Sequence, residues 1–222
     1  SDGRNTMEEM VEAARAKGYQ YMAFCDHSPG ALAGKEGVEG LQRQIDAVRD
    51  LNAQYPEFEI LIGSEVEIFN DGRLDLDDTI LKKLDFAIAS VHGGFSIDAT
   101  ERTIAAMQNP LIDVIGHPTG RLISRRDPLP INIEKVVDAA LETGTALEIN
   151  SMWDRLDLKD THVKLAVDRG AKLIINTDSH AVDGFHQMMF GVGTARRGWA
   201  RAEDVINTFT IQDFRAWQKR NR

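Results

Sequence analysis

Five short apolar runs in this chain each end on a histidine or an acidic residue, and this repetition limits the possible folds more than any other feature. Short apolar runs bounded by Gly, Asp or Ser are typical of buried parallel strands. The five runs are Met22-Ala23-Phe24-Cys25-Asp26-His27, Ile60-Leu61-Ile62-Gly63-Ser64-Glu65, Ala87-Ile88-Ala89-Ser90-Val91-His92, Val114-Ile115-Gly116-His117 and Leu173-Ile174-Ile175-Asn176-Thr177-Asp178-Ser179-His180. Residues at the ends of parallel strands converge on one face of a barrel. The pattern therefore predicts an α/β barrel with a metal site in its mouth.

Helical patterns separate the strand-like runs, which indicates repeated βα units. We predict helices over 6–18, 41–52, 78–84, 100–108, 133–143, 159–169 and 203–209. Thr6 and Glu9 have the spacing of a capping box, and Gly18 is a helix stop. A length of 222 residues suits one α/β barrel. We expect residues 1–222 to form a single domain.

The amino-acid composition limits the classes of protein to which this chain can belong. The formal net charge is -9, from 26 Lys plus Arg against 35 Asp plus Glu, which disfavours binding to nucleic acid mainly by electrostatics. It does not exclude nucleic acid as a substrate. No apolar run approaches the roughly 20 residues of a membrane span, and the single cysteine, Cys25, cannot form an internal disulfide. We expect a soluble cytoplasmic protein with no membrane contact.

The runs also carry the motifs of a known family. Asp26-His27-Ser28, Gly63-Ser64-Glu65-Val66-Glu67-Ile68, Ser90-Val91-His92, Gly116-His117-Pro118-Thr119-Gly120-Arg121-Leu122 and Asn176-Thr177-Asp178-Ser179-His180 resemble, in order, the motifs of the PHP (polymerase and histidinol phosphatase) domain. Asp71-Gly72-Arg73-Leu74-Asp75-Leu76, Asp154-Arg155-Leu156-Asp157-Leu158 and Ala195-Arg196-Arg197-Gly198-Trp199 resemble the PHP domain attached C-terminally to bacterial family X DNA polymerases. The resemblance spans essentially the whole chain.

This resemblance implies a distorted seven-stranded (β/α) TIM-like barrel that holds up to three divalent cations. The usual cations are Mn²⁺ or Zn²⁺, and Fe also suits mixed imidazole and carboxylate ligands. The family opens with a His-x-His pair on its first strand. Here Ser1-Asp2-Gly3 leads directly into a helix. We therefore expect the first strand, with that pair, to be missing before Ser1.

The resemblance also implies roles for individual residues. Glu65 would bridge two cations, with His92 and His117 on one of them and Asp178 on the other. The full implied metal set is Asp2, His27, Glu65, His92, His117, Asp178 and His180, of which Glu65, His92 and Asp178 are the predicted catalytic residues. Asp26 is expected to orient a neighbouring imidazole.

Substrate contacts are predicted from the loops that follow the strands. Arg121 and Arg126 follow the His117 strand, and arginine suits bidentate contact with phosphate. Trp153 is a candidate either for stacking on a terminal base or for packing at the rim. We expect His162, on an amphipathic helix, and His186, in a loop, to lie outside the metal site.

The ligand types favour hydrolysis. Two close metal ions lower the pKa of a bridging water and neutralise charge on phosphoryl oxygens, so a metal-bound hydroxide can attack. The resemblance implies a DNA 3′→5′ exonuclease or 3′-end phosphatase, associated with a family X DNA polymerase in DNA repair. Its partners would be DNA 3′ ends or a phosphate monoester, and an upstream polymerase module in the same chain. The alternatives are a free-standing small-molecule phosphatase resembling histidinol phosphatase and a non-catalytic domain with an incomplete metal site.

Overall fold

Six parallel strands form one curled sheet, a half-barrel, in which neighbours along the chain are neighbours in space. The computed structural model describes residues 3–30 and 37–221. The strands are β1 (Tyr21–His27), β2 (Glu59–Glu67), β3 (Phe86–Ser90), β4 (Val114–Ile115), β5 (Ala146–Asn150) and β6 (Leu173–Asn176). All of the predicted apolar runs therefore contribute strands, and their C-terminal ends lie on one side of the sheet. This arrangement confirms the predicted α/β class.

The predicted seven-stranded barrel is not what the described part of the chain forms. It contains six strands in the order β1 to β6, so β1 and β6 are the two edges of the sheet. Because these edges do not pair with each other, the sheet stays open on that side. A cavity of about 660 Å³ lies there, lined by residues of both edge strands, including Cys25 and Ile175. The cavity extends to the strand ends where the predicted ligands cluster.

Helices connect the strands and cover the sheet. They are α1 (Met7–Ala16), α2 (Gly37–Gln54), α3 (Asp78–Leu81), α4 (Thr100–Met107), α5 (Ile133–Thr143), α6 (Asp160–Arg169), α7 (Met188–Arg197) and α8 (Ile211–Trp217). The capping box before α1 is confirmed, since Glu9 N donates to Thr6 Oγ1 at 3.2 Å and Thr6 N donates to Glu9 Oε2 at 3.0 Å. Gly18 follows this helix with φ +80°, a conformation that glycine adopts without strain.

The helix predicted over 203–209 is wrong. That segment instead forms two short 3₁₀ turns, Ala202–Asp204 and Ile206–Thr208. The Asn207 side chain accepts from Ile175 N at 2.7 Å and donates to Ile175 O at 2.8 Å. These two bonds satisfy the open edge of β6 and hold the segment along it, a tertiary contact that outweighs local helix preference.

Two residues with unusual backbone geometry mark the mouth of the half-barrel. They lie just beyond the strand ends: His117 has φ +24° and Asp178 has φ +50°. Left-handed conformations in residues other than glycine are uncommon and gather at functional sites.

At the opposite end of the sheet, Arg220 Nη2 contacts the buried Asp113 carboxylate at 2.8 Å. Among the described residues, no helix has the length and apolar character needed to span a membrane.

Candidate metal centre

Three imidazole rings surround the carboxylate of Glu65 at the C-terminal ends of the strands. His27 ends β1 and is the register partner of Glu65 in β2. Its Nδ1 lies 3.0 Å from Glu65 Oε2. The Nε2 atoms of His92 and His117, just beyond β3 and β4, lie 3.3 and 3.1 Å from Glu65 Oε1. Parallel pairing thus brings side chains from four consecutive strand ends into one cluster.

The cluster is electrostatically suited to positive charge. Burial alone would raise the pKa of Glu65, but hydrogen bonds with the three imidazoles outweigh it and hold that pKa well below its usual range. Burial lowers the pKa of His92, and hydrogen bonds with Glu65 and Glu67 overcome this effect and raise it to about 10. The site therefore keeps an ionised carboxylate in a buried position and stabilises cationic groups beside it.

His92 is held from its other side by Glu67. Nδ1 of His92 donates to Glu67 Oε2 at 2.6 Å, and the backbone N–H of His92 donates to Glu67 Oε1 at 3.1 Å. This pair fixes the ring so that Nε2 points to Glu65. A carboxylate bound to the far nitrogen of a metal-ligating histidine is the usual device for orienting that ligand.

A second group lies at the ends of β5 and β6. Asp178 Oδ2 accepts from Asn150 Nδ2 at 3.1 Å, and the Asp178 backbone oxygen accepts from His180 Nδ1 at 2.9 Å. The His180 ring centroid lies 6.5 Å from that of His27. Asp178 and His180 line the same cavity as His27 and Glu65. The cavity thus joins the two groups.

Glu148 in β5 is a functional candidate that the sequence analysis did not select. It is buried, and its Oε2 accepts the backbone N–H of His117 at 2.6 Å while its Oε1 accepts from Asn176 Nδ2 at 2.8 Å. Burial raises the pKa of Glu148 to about 7 against the opposing charge of His117. Its acidic side chain inside an otherwise apolar run is the feature that could have identified it.

Arg155 is the second residue that the sequence analysis missed. Its Nε lies 3.8 Å from Asp178 Oδ2. Its Nη1 is buried and has no hydrogen-bond partner within the described ranges. A buried guanidinium with an unused donor is costly unless an acceptor completes it. Only the three-dimensional path of the loop after β5 brings this arginine to the ligand cluster.

The remaining predicted site residues are Asp2, Asp26, Arg121 and Arg126. Asp2 lies outside the described residues, and Asp26 lines the cavity. Arg121 Nε donates to the backbone oxygen of Arg155 at 2.7 Å. Arg126 donates to Gly120 O at 2.6 and 2.9 Å, and its guanidinium lies 3.7 Å from the centroid of the Phe95 ring. Backbone carbonyls thus hold both predicted phosphate-binding arginines. Glu67, which was not among the predicted site residues, contacts the His92 ring in the way expected of an orienting carboxylate.

The donor set fits a divalent cation. His27, Glu65 and His92 each offer one ligand atom, and these atoms lie within 4.8 Å of one another. Nδ1 of His117 is buried and lacks a hydrogen-bond partner among the residues that the structure covers. Imidazole nitrogen and carboxylate oxygen suit zinc, manganese and iron alike. His27, Glu65 and His92 are therefore the residues that would hold such a cation.

Known proteins are similar to this chain in sequence and in fold. Residues 1–152 match the PHP domain family. The chain is 41% identical over 225 residues to "DNA polymerase/3'-5' exonuclease PolX" of Bacillus subtilis, an alignment covering 100% of this chain and 40% of that protein. It is 33% identical over 194 residues to a "Probable phosphatase" of Thermoanaerobacter sp. (strain X514), covering 79% of this chain and 73% of that one.

A solved structure has the same fold. The crystal structure of histidinol phosphate phosphatase from Lactococcus lactis, complexed with zinc, L-histidinol and phosphate, superposes with a TM-score of 0.61. The identity is 16%, and the match covers 90% of each chain. The family match covers well over half of the chain and includes the strand ends that carry His27, Glu65, His92 and His117. This chain belongs to the PHP domain family.

Proposed function

We propose that this chain is a divalent-metal-dependent phosphoesterase. The observation that carries the proposal is the largely buried Glu65 carboxylate with three imidazole nitrogens at 3.0 to 3.3 Å. Such a cluster, at the C-terminal ends of parallel strands and open to a cavity, has the position of an active site in α/β folds. The similarity to proteins named as an exonuclease and as phosphatases supports the same class of reaction.

The residues of the chain have distinct parts in this proposal. His27, Glu65, His92 and His117 would hold one or more cations, and Asp178 and His180 would add ligands from the segment that follows β6. When bound, a divalent cation neutralises charge on phosphoryl oxygens and lowers the pKa of coordinated water. Glu67 orients His92, and Glu148 fixes the backbone of His117. The occupancy of up to three cations, and manganese as an alternative to zinc, remain part of the proposal.

Arg155 is the residue we propose for contact with the substrate phosphate. Its guanidinium faces Asp178, and its Nη1 has no partner among the described residues. A phosphate oxygen is an acceptor well suited to a guanidinium, and this side chain lies beside Asp178, one of the proposed ligands. Arg155 takes the place of Arg121 and Arg126, whose guanidinium groups are already bonded to backbone carbonyls.

The favoured substrate is a DNA 3′ end, processed by a 3′→5′ exonuclease or a 3′-end phosphatase. The 41% identity to the Bacillus protein over the whole chain supports this choice. On this view the native protein also carries a polymerase module, takes part in DNA repair and works in the cytoplasm. The second candidate is a small-molecule phosphatase. The phosphatase relatives and the cavity of about 660 Å³, large enough for a small phosphate ester, favour it.

Hydrolysis assays separate these activities. The substrates are p-nitrophenyl phosphate and a 5′-labelled oligonucleotide ending in either a 3′-hydroxyl or a 3′-phosphate, each in Mn²⁺, in Zn²⁺ or in EDTA. Glu65→Gln and Asp178→Asn should abolish metal-dependent release. Asp183→Asn is the matched control, because its carboxylate is 78% exposed and does not line the cavity. Equal activity of Glu65→Gln and the unmodified chain would overturn the proposal.

The products identify the reaction. A ladder of shortened oligonucleotides indicates an exonuclease, whereas loss of the 3′-phosphate alone indicates a 3′-end phosphatase. Hydrolysis of p-nitrophenyl phosphate with an intact oligonucleotide indicates the small-molecule candidate. A folded chain that releases nothing from any substrate would favour a non-catalytic domain.

A further inference from the structure

Exposed apolar side chains concentrate on one part of the surface. Among the described residues, five of the nine exposed large apolar side chains come from the loop after β5 and from α7 with the residue that follows its end: Trp153, Met189, Phe190, Val192 and Trp199. Trp153 and Met189 are each 65% exposed. Single exposed apolar residues are normal, but a group of this kind marks a binding surface.

This surface lies at the mouth of the half-barrel. A Cβ atom at Gly191 would overlap Ser151 and Ile175, so glycine allows α7 to lie directly against the ends of β5 and β6. Gln187, just before α7, accepts the backbone N–H of Trp153 at 2.9 Å. The loop after β5 and the beginning of α7 are therefore in direct contact at the ends of β5 and β6.

A groove of about 490 Å³ runs along this surface. Leu156, Phe190 and Met189 form apolar parts of its lining, and Arg196 and Arg197 add positive charge at its end. Leu156 directly follows Arg155, whose Nε lies 3.8 Å from Asp178. The groove therefore adjoins the loop from which Arg155 reaches Asp178.

The charge of the groove favours an anionic occupant. No ion pair or hydrogen bond of the Arg196 side chain is found within the described residues, and Arg197 is paired with Asp160 while its side chain stays 76% exposed. The chain as a whole carries a net charge of -9, so a second copy would bring further negative charge rather than a specific complement. Exposed aromatic faces next to arginines are the pattern that binds single-stranded nucleic acid, by stacking of bases and contact with phosphates.

We propose that this groove binds the last nucleotides of a single strand whose 3′ end enters the metal centre. Phe190, which lines the groove, and Trp153, exposed on the adjoining loop after β5, stack on bases, and Arg196 contacts a backbone phosphate upstream of the end. This inference rests on the proposed phosphoesterase function for the position of the 3′ end, but binding in the groove is measurable without hydrolysis. It explains how an anionic protein selects a polymer rather than a small ester.

Fluorescence anisotropy with a 5′-fluorescein dT12 oligonucleotide in EDTA tests the binding directly. Because stacking contributes on the order of 1–3 kcal/mol per base, Trp153→Ala and Phe190→Ala should each raise Kd about tenfold. Trp199→Ala is the matched control, because this exposed tryptophan packs beside Lys164 of α6 and lies neither in the groove nor on the loop after β5. For Arg196→Gln, the slope of log K against log salt should fall by about 0.7, the value for one phosphate contact on a single strand.

Parallel assays separate this inference from the proposed function. Hydrolysis of p-nitrophenyl phosphate should be unchanged in Trp153→Ala, Phe190→Ala and Arg196→Gln, because these side chains lie outside the ligand cluster. Arg49→Gln on α2 is the charge control and should leave the salt slope unchanged. If dT12 binding is the same in all variants, the inference is wrong, whatever the hydrolysis assay shows. It is also overturned if sedimentation shows a dimer that Phe190→Ala dissociates while dT12 binding persists.

Discussion

The carboxylate of Glu67 contacts His92 twice, at the ring Nδ1 over 2.6 Å and at the backbone N–H over 3.1 Å. The two bonds fix both the position of the residue and the rotation of its ring. They leave Nε2 as the nitrogen that faces Glu65, 3.3 Å away. Glu67 therefore acts on the centre through His92, as a positioning residue.

The first prediction concerns metal affinity. Glu67→Gln keeps the size of the side chain but removes the charge that orients and polarises His92. Loss of such a partner typically weakens metal binding roughly 10- to 100-fold. Competition against a chromophoric zinc chelator measures the change. Glu57→Gln, an exposed glutamate before β2, is the control, and an unchanged affinity in Glu67→Gln would contradict the assigned role.

The strand ends could be predicted from the sequence, because a buried parallel strand and the polar residue that ends it are both local features. His27, Glu65 and His92 were selected in this way, and the structure brings their side chains together. Residues whose role depends on a neighbouring strand could not be found by the same argument. Glu148 lies inside a buried run, and only the adjacent β4 shows that it accepts the backbone N–H of His117.

The roles of residues in the loops could not be predicted from local sequence either. Arg121 and Arg155 are both arginines in loops after strands, and local sequence does not distinguish them. In the structure Arg121 donates to backbone carbonyls of the next loop, and Arg155 reaches Asp178. The glycines of α7 obscured that helix in the sequence, because glycine disfavours isolated helices. At Gly191 the close approach to the strand ends explains why a glycine is present.

The second prediction concerns phosphate binding. Arg155→Lys keeps the positive charge but loses the planar donor pair, and Arg155→Ala loses both. Because hydrogen bonds to charged groups contribute roughly 1.5–3 kcal/mol, the inhibition constant of inorganic phosphate should rise about 10- to 100-fold in Arg155→Ala. The inhibition constant of Arg155→Lys should lie between those of Arg155→Ala and the unmodified chain. Inhibition of p-nitrophenyl phosphate hydrolysis provides the measurement.

Arg121→Lys is the matched variant for that test. Its guanidinium holds the loop after β5 through the carbonyls of Arg155 and Leu156, so the substitution should lower the thermal unfolding midpoint. It should change phosphate inhibition less than Arg155→Ala does. If Arg121→Lys changes phosphate inhibition more than Arg155→Ala does, the phosphate contact must be assigned to Arg121 instead.

The third prediction concerns stability at the opposite end of the sheet. Arg220 Nη2 contacts the fully buried Asp113 carboxylate at 2.8 Å and donates to Leu111 O at 2.7 Å. Arg220→Met leaves Asp113 buried without its cationic partner, which should cost roughly 3–5 kcal/mol in free energy of unfolding. Urea titration measures the loss. Arg215→Met breaks an exposed pair with Glu59 and should cost about 1 kcal/mol or less. Equal losses in the two variants would contradict this account.

The fourth prediction concerns pH and His162 on α6. Burial, together with the nearby charges of Lys159 and Arg121, lowers the pKa of His162 from 6.5 to about 4. Between these two values the unfolded chain binds a proton at this residue and the folded chain does not. The contribution to stability is therefore fully present above pH 6.5 and is lost as pH falls towards 4.

The free energy of unfolding from urea titration should consequently fall less between pH 7 and pH 5 in His162→Gln than in the unmodified chain. The side chains of the candidate metal centre are the same in both proteins, so their effect cancels in this comparison. Lys164→Gln lies on the same helix but leaves the His162 imidazole in place. Its free energy of unfolding should therefore keep the pH dependence of the unmodified chain. If His162→Gln steepens the fall instead, the folded protein must favour the protonated ring. Burial would then not be the dominant influence on His162.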